Sequence, residues 1–301
     1  MNPLRPAKLP DILGQKAVVD SLNISIISAK VRGTCIDHTL LYGPPGTGKT
    51  TFANAMANEM ESSVQVANGA NLRTIKSAIP YIMRIEENGV LFIDEIHRMT
   101  SIVEEFLYPV MEDFKLDMSM ESKELSGETL SLDIPRFTLV GATTEYGSLS
   151  KPLIDRFKHK HTLELYSEED LFIIIKSNSQ KMNLPISEKG MSLVSRVSRG
   201  TPRIANACLE WLRDYHIAKG LLRLSESDVE GAMAMKGVDR SGLNGMDREY
   251  LKILKKHDTP LGIETLVSIS GFDRNTIESI IEPWLLQNGK IIKTSKGRIA
   301  T

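Results

Sequence analysis

Eight consecutive residues, Gly43-Pro44-Pro45-Gly46-Thr47-Gly48-Lys49-Thr50, fit the pattern GxxxxGK[ST]. They follow a short apolar run, His38–Tyr42, and open a helix-like stretch, Thr50–Met60, the context in which such a loop cradles phosphate. Gly46 and Gly48 let the backbone curl so that its N–H groups face an anion, and the helix N-terminus adds partial positive charge. Lys49 is predicted to bridge the β- and γ-phosphates of ATP, and Thr50 to ligate Mg²⁺. A second apolar run, Leu91-Phe92-Ile93, ends in Asp94-Glu95. Asp94 is the expected Mg²⁺ partner and Glu95 the group that orients the attacking water. Phosphoryl transfer needs positioning and charge neutralisation more than covalent chemistry, so the remaining parts should be polar groups aimed at the γ-phosphate. Thr144, ending Phe137–Thr144, can hydrogen-bond that water. Arg156 is a candidate arginine finger for a neighbouring subunit, with a surface ion pair as its alternative. Arg203, at a helix start, can sense nucleotide or form a capping ion pair.

These residues need a scaffold. His38–Tyr42, Val90–Ile93 and Phe137–Ala142 read as buried strands, and Leu163–Tyr166 as a fourth. Short apolar runs separated by helical segments imply a parallel sheet with crossover helices. Beyond Tyr166 the pattern turns helical. Ser167 is a plausible N-cap, RGTPR (Arg199–Arg203) opens a helix running to Lys219, and Ser225–Met235 forms another. Gly237–Gly245 is rich in glycine and polar residues and reads as a linker. The last stretch predicts helices over Asp247–His257, Gly262–Ser270 and Asn275–Gln287, then two short strands around Ser295-Lys296-Gly297: the outline of a winged helix. The expected division is 1–166 (nucleotide-binding), 167–237 (helical) and 238–301 (winged helix).

The net charge is −1, so any nucleic-acid surface must be a local patch. Residues 290–301 supply one: Lys290, Lys293, Lys296 and Arg298, with no acid. In a hairpin these are expected to project as a basic wing; the bland alternative is a solvated tail. Cys35 and Cys208 form no CxxC pair and are expected to be reduced thiols. No window reaches a membrane span and the N-terminus carries no apolar signal core, so a cytoplasmic location without membrane contact is expected. His97, lacking metal-ligand company, reads as a core or supporting polar contact. His159 and His161 are weak evidence for zinc, and Trp211 and Trp284 read as core.

LYGPPGTGKTT, VLFIDEIHR, EEFLYPVMEDFKLD, FTLVGATT, DRF, RGTPRIAN and the terminal EPWLLQNGKIIKT–KGRIAT stand in the order and spacing of the RuvB family, which the chain resembles over nearly its whole length. The resemblance implies an α/β fold: an AAA+ P-loop parallel-sheet domain, a small helical lid and a C-terminal winged helix. It implies a hexameric ring that hydrolyses ATP to drive branch migration of Holliday-junction duplex arms in recombination and repair. By position it implies nucleotide contacts from Leu4, Arg5, Gly46, Gly48, Lys49, Thr50, Thr51, Tyr166 and Arg203 of one subunit and from Arg156 of its neighbour. Glu112, Asp113 and Phe114 also fall where the family meets the nucleotide region. Lys115–Arg136 matches the hairpin that docks on RuvA, and Lys293 and Arg298 match the DNA-contacting positions. Glu145 stands where the family has a basic residue after GATT, Ile154 where it has an arginine, and acids occupy the hairpin tip, Ser122–Glu128. Two other readings stay open at this stage: another AAA+ ATPase (clamp-loader-like or replication-associated), or a weakly hydrolysing DNA-bound assembly module.

Overall fold

The computed structural model describes residues 4–119 and 129–301. The hairpin tip, Ser122–Glu128, lies outside them. The chain packs as two compact units, one running to Asp170 and taking in Thr201–Arg203, the other comprising Leu171–Gly200 and Ile204–Thr301.

In the first unit the elements are α1 (Lys16–Arg32), β1 (Thr39–Tyr42), α2 (Lys49–Glu59), β2 (Val64–Asn68), α3 (Ile75–Ile82), β3 (Val90–Asp94), α4 (Ser101–Glu112), β4 (Lys115–Ser119), β5 (Thr129–Asp133), β6 (Thr138–Thr143), α5 (Lys151–Arg156) and β7 (His159–Thr162). Five strands form a parallel sheet in the order β2-β3-β6-β1-β7, while β4 and β5 pair separately as an antiparallel hairpin. The central strands are mostly apolar because both faces are covered. Leu91, Ile93, Leu139 and Leu40 face α3, α4 and α5, packing with Ile82, Phe106, Leu107 and Leu153. Val90, Phe92, Val140, Ala142 and Leu41 face α1 and α2, packing with Leu22, Ile26, Phe52 and Met56. This alternation is the period-2 geometry of a strand buried on both sides.

Two strand assignments need correction. The fourth strand is His159–Thr162, not Leu163–Tyr166, and β2 was not anticipated. Both are edge strands, so they carry polar residues and lack the continuous apolar signal.

The second unit carries α6 (Glu168–Lys181, begun in the first), α7 (Glu188–Val197), α8 (Pro202–Lys219) and α9 (Glu226–Met235), then α10 (Gly245–Lys255), α11 (Ile263–Ser270), α12 (Arg274–Thr276), a π-turn (Ile277–Ile281), α13 (Glu282–Gln287), β8 (Ile291–Thr294) and β9 (Gly297–Ala300). Ser167 accepts from Asp170 N–H, and Ser225 caps α9. The glycine-rich stretch 237–245 is not a loose tether. The Asp239 carboxylate accepts from the backbone N–H of Ser241 and of Leu243, and Asp247 closes a capping box with Asn244. Both cysteines are free and half-buried. Among the described residues no helix is long and apolar enough to cross a membrane, and no cluster of three metal-ligating side chains occurs.

Candidate functional site

Strand β6 lies between β1 and β3, so the loop after β1, the acids ending β3 and the threonines ending β6 meet at one edge of the sheet. The carboxyl edge of a parallel sheet is where such folds hold ligands. The loop is set by sterics. Gly43 N–H donates to Thr143 O, and a Cβ on Gly43 would lie 2.0 Å from Leu163 O. Gly46, at φ +78°, abuts Thr201 and Arg203, where a Cβ would meet Thr201 Cγ2 at 2.6 Å. Lys49 is only 7% exposed; its ammonium donates to Gly43 O and Pro44 O at 2.8 and 2.9 Å. Burial pushes its pKa below the ordinary value, while the nearby Glu95 and Asp94 carboxylates pull it back up. A loop built to hold a buried cation over two acids suits a polyphosphate with a bound cation.

Glu95 sits in the left-handed region, φ 48°. A non-glycine residue there is strained by roughly 1–3 kcal/mol and persists only where its surroundings hold it. β3 anchors it from one side, and Gly69 packs so closely that a Cβ there would stand 2.2 Å from Glu95 O. Thr144 Oγ1 donates to Glu95 Oε2 at 3.2 Å. His97 is hemmed in: Nδ1 is 2.9 Å from Thr143 Oγ1 and 3.4 Å from Glu95 Oε2, and Nε2 is 3.6 Å from Glu145 Oε1. His97 is thus a supporting polar contact, as its lack of metal-ligand neighbours suggested.

Tyr166 closes the other side of the loop. Its hydroxyl donates to Thr47 O at 3.4 Å, and its ring packs over Gly14. Burial, with the Asp170 charge adding, pushes its pKa up to about 12. Thr50 and Thr51 are half-buried on the first turn of α2. Leu4 is buried and Arg5 exposed at the start of a segment that reaches Ala7, whose carbonyl accepts from Asn58 of α2.

Arg156, Glu112, Asp113 and Phe114 belong to the opposite edge. His38 precedes β1, and its imidazole is held between Leu139 N–H, which donates to Nδ1, and Met111 O, which accepts from Nε2. Burial holds its pKa below the ordinary value. Phe114 meets Phe137 edge to face and His38 at a tilt. The end of α4 therefore lies beneath the start of β1, and β1 alone separates it from the P-loop by about 13 Å at ~3.3 Å per residue. Arg156 ends α5 just before β7, whose His159 pairs with Thr39. Its guanidinium lies 3.7 Å over the Tyr108 ring, and one N–H donates to Pro152 O. Nε is 3.3 Å from Glu112 Oε1 but off hydrogen-bond geometry, a buried donor without a hydrogen-bond acceptor.

The wing forms as expected, with Lys293 and Arg298 paired across β8 and β9. Lys290, Lys293 and Lys296 are exposed. Arg298 does not project, contrary to expectation. It is 6% exposed and donates to both oxygens of Glu282 at 2.7 and 3.2 Å and to Glu278 at 3.0 Å. The cause is placement: β9 lies between β8 and Leu261, and from there the Arg298 side chain reaches the Glu278 and Glu282 carboxylates. Lys293→Ala is therefore expected to weaken DNA binding alike for all sequences and flatten the salt slope by about one. Arg298→Ala should instead destabilise the fold by about 3 kcal/mol, because the buried Glu282 carboxylate loses its counter-charge, while Glu278 keeps Arg274. Fluorescence anisotropy across salt and denaturant melts distinguish the two.

Three family models match end to end: the Holliday junction DNA helicase RuvB P-loop domain over residues 4–163, the RuvB AAA lid domain over 166–239 and the RuvB C-terminal winged helix domain over 240–301. The chain belongs to the RuvB family. It is 42% identical over 300 residues to the Holliday junction branch migration complex subunit RuvB of Fusobacterium nucleatum, covering 99% of this chain and 90% of that one. The solved Thermotoga maritima RuvB Holliday junction branch migration motor superposes with a TM-score of 0.85 at 36% identity, over 100% of this chain and 96% of that one. A point mutant of the same protein gives 0.85 at 37% identity, over 99% and 95%. The chain is thus an AAA+ P-loop ATPase that binds nucleotide, and the clamp-loader-like reading is set aside.

RuvB membership leaves the departures to be explained physically. Ile154, in place of a basic residue, packs against the core formed with α4. Glu145 turns toward His97. Gly69, Thr143 and Tyr108 were missed as supporting residues. Tyr108 and Thr143 lie inside the quoted LYPVMEDF and FTLVGATT segments, while Gly69 carried no signal.

Proposed function

We propose that this chain is the ATP-driven motor of Holliday-junction branch migration, working as a homohexameric ring with ATP at each seam between subunits. The observation that carries the ring is the split of polar groups between the two edges of the sheet. Lys49, Asp94, Glu95 and Thr144 gather at one edge, and Arg156 with Glu112–Phe114 at the other. No side chain spans a full strand, so Arg156 can serve a nucleotide only in another copy. On the same geometry Glu112–Phe114 are assigned with Arg156 to the neighbour's site.

Within one subunit, Lys49 and the loop N–H groups bind the β- and γ-phosphates, Tyr166 and the Leu4–Arg5 segment flank the nucleotide, and Arg203 responds to its state. The hard oxygen donors of Thr50 and Asp94 fit Mg²⁺, which supplies charge neutralisation on the phosphates when bound. Glu95, fixed by Thr144, orients the attacking water. Arg156 from the neighbour stabilises the transition state. We assign the units as 1–166, 167–237 and 238–301, with exposed Lys293 on DNA phosphate. Phosphate contact is sequence-blind, as a translocating motor requires. We assign residues 115–136 as the docking segment for a RuvA-like junction-binding protein, and the cytoplasm as the place where the protein works.

The reading predicts that a four-way junction stimulates ATP hydrolysis by the purified protein, further so with a RuvA-like partner, and that labelled junctions are resolved into migrated products. Hydrolysis that ignores junction DNA, with no migrated product, contradicts it.

A further inference from the structure

Arg199, two residues beyond the end of α7, sits at φ 52°, a backbone region that favours glycine, and Gly200 follows at φ 72°. An arginine kept there is held by its side chain. Its guanidinium donates to the Asp247 carboxylate and to Gly242 O, the latter from Nε at 2.8 Å, and lies 4.4 Å over the Trp284 ring. Asp247 is 1% exposed. The same oxygen that accepts from Arg199 also accepts from Asn244 N–H at 2.8 Å, so the carboxylate sets the start of α10. Gly242, at φ +80°, approaches so closely that a Cβ would stand 3.3 Å from Val197 Cα. One arginine thereby grips the 237–245 connection, the first winged-helix helix and the helix that precedes the wing. Four residues further along the chain is Arg203, which with Thr201 packs against Gly46 of the P-loop.

We propose that Arg199 is a positioning residue that couples nucleotide state to the DNA wing. Resting on the motor reading above, this assignment gives the connection between lid and winged helix a fastened joint. A displacement at Arg203 passes through Gly200–Pro202 to Arg199, and from there to α10 and α13 through Asp247 and Trp284. Without the grip, the same displacement is absorbed in residues 237–245. The fork matters: a guanidinium meets a carboxylate, a carbonyl and an indole face at once, which an ammonium does not.

The test uses full-length protein carrying Arg199→Lys and, separately, Asp247→Asn, which attacks the same pair from the winged-helix side. Two quantities are read: hydrogen exchange of residues 239–251 with ATP against ADP, and base pairs of junction migrated per ATP hydrolysed. Wild type should show nucleotide-dependent exchange in that segment. Each variant should lose that dependence and migrate about tenfold fewer base pairs per ATP, within the 5–150-fold span of site-to-site coupling. ATP hydrolysis without DNA should be unchanged, and the double variant should be no worse than either single one. Exchange that does not respond to nucleotide in wild type, or variants migrating with wild-type stoichiometry, overturns the coupling role. Failure of the motor reading is seen separately, as wild type that does not migrate junctions at all. A variant that fails to fold is recognised by its melt, and the other then decides.

Discussion

Arg156→Ala is expected to lower ATP turnover by about 10³-fold or more while leaving ATP affinity within a few-fold, since arginine fingers are worth roughly 10³–10⁵ in rate. The reason lies in where the residue sits. Its guanidinium is parked over Tyr108 and beside Glu112, at the end of the sheet remote from its own P-loop. It can add nothing to binding in its own subunit, where Lys49 and the loop do that work. It acts where charge develops on a neighbour's γ-phosphate, so its loss falls on kcat and not on KM. Arg156→Lys should recover little, because a point charge cannot replace the planar fork. Steady-state hydrolysis beside an equilibrium nucleotide titration reads both quantities. Normal turnover in Arg156→Ala removes the seam from the account.

The second large effect is at Glu95. Glu95→Gln keeps the shape of the side chain and its contact with Thr144 but removes the carboxylate that polarises water. Turnover should fall by about 10²–10⁴, the range for a lost general base. Binding should survive, so the variant should hold unhydrolysed ATP and be isolated as an ATP-bound oligomer. The backbone argues for the same role. A glutamate held at φ 48° against Gly69 is a strained placement that packing alone does not call for. Nucleotide extracted from the purified variant and analysed for ATP against ADP checks this directly.

Some of this was legible in the sequence and some was not, for physical reasons. The P-loop is contiguous, and its glycines, lysine and threonine act through local backbone geometry, so eight residues and the preceding strand were enough. Asp94-Glu95 could be read for the same reason, ending an apolar strand. The edge strands β2 and β7 lacked that signal because half their surface faces away from the core. Arg298 shows a different limit. Charge is visible in a sequence but direction is not, and whether an arginine meets DNA or Glu282 depends on what packs against its strand. Gly69 acts on Glu95 from the loop after β2, so no spacing rule could join the two, whereas His97 follows Glu95 by two residues and could be read as a polar contact. Arg199 was visible only as part of RGTPR; its grip on Asp247 depends on a contact between residues nearly fifty positions apart.

The central claim is that each catalytic site is shared between two copies. The most direct measurement mixes two inactive variants: Lys49→Ala, which cannot bind nucleotide productively but carries an intact Arg156, and Arg156→Ala, which binds nucleotide but offers no finger. If the site straddles a seam, mixed assemblies contain seams pairing an intact P-loop with an intact finger, and ATP hydrolysis reappears when neither variant alone has any. If mixing at every ratio restores nothing while native electrophoresis shows that mixed oligomers form, the site is contained in one chain and the account is wrong.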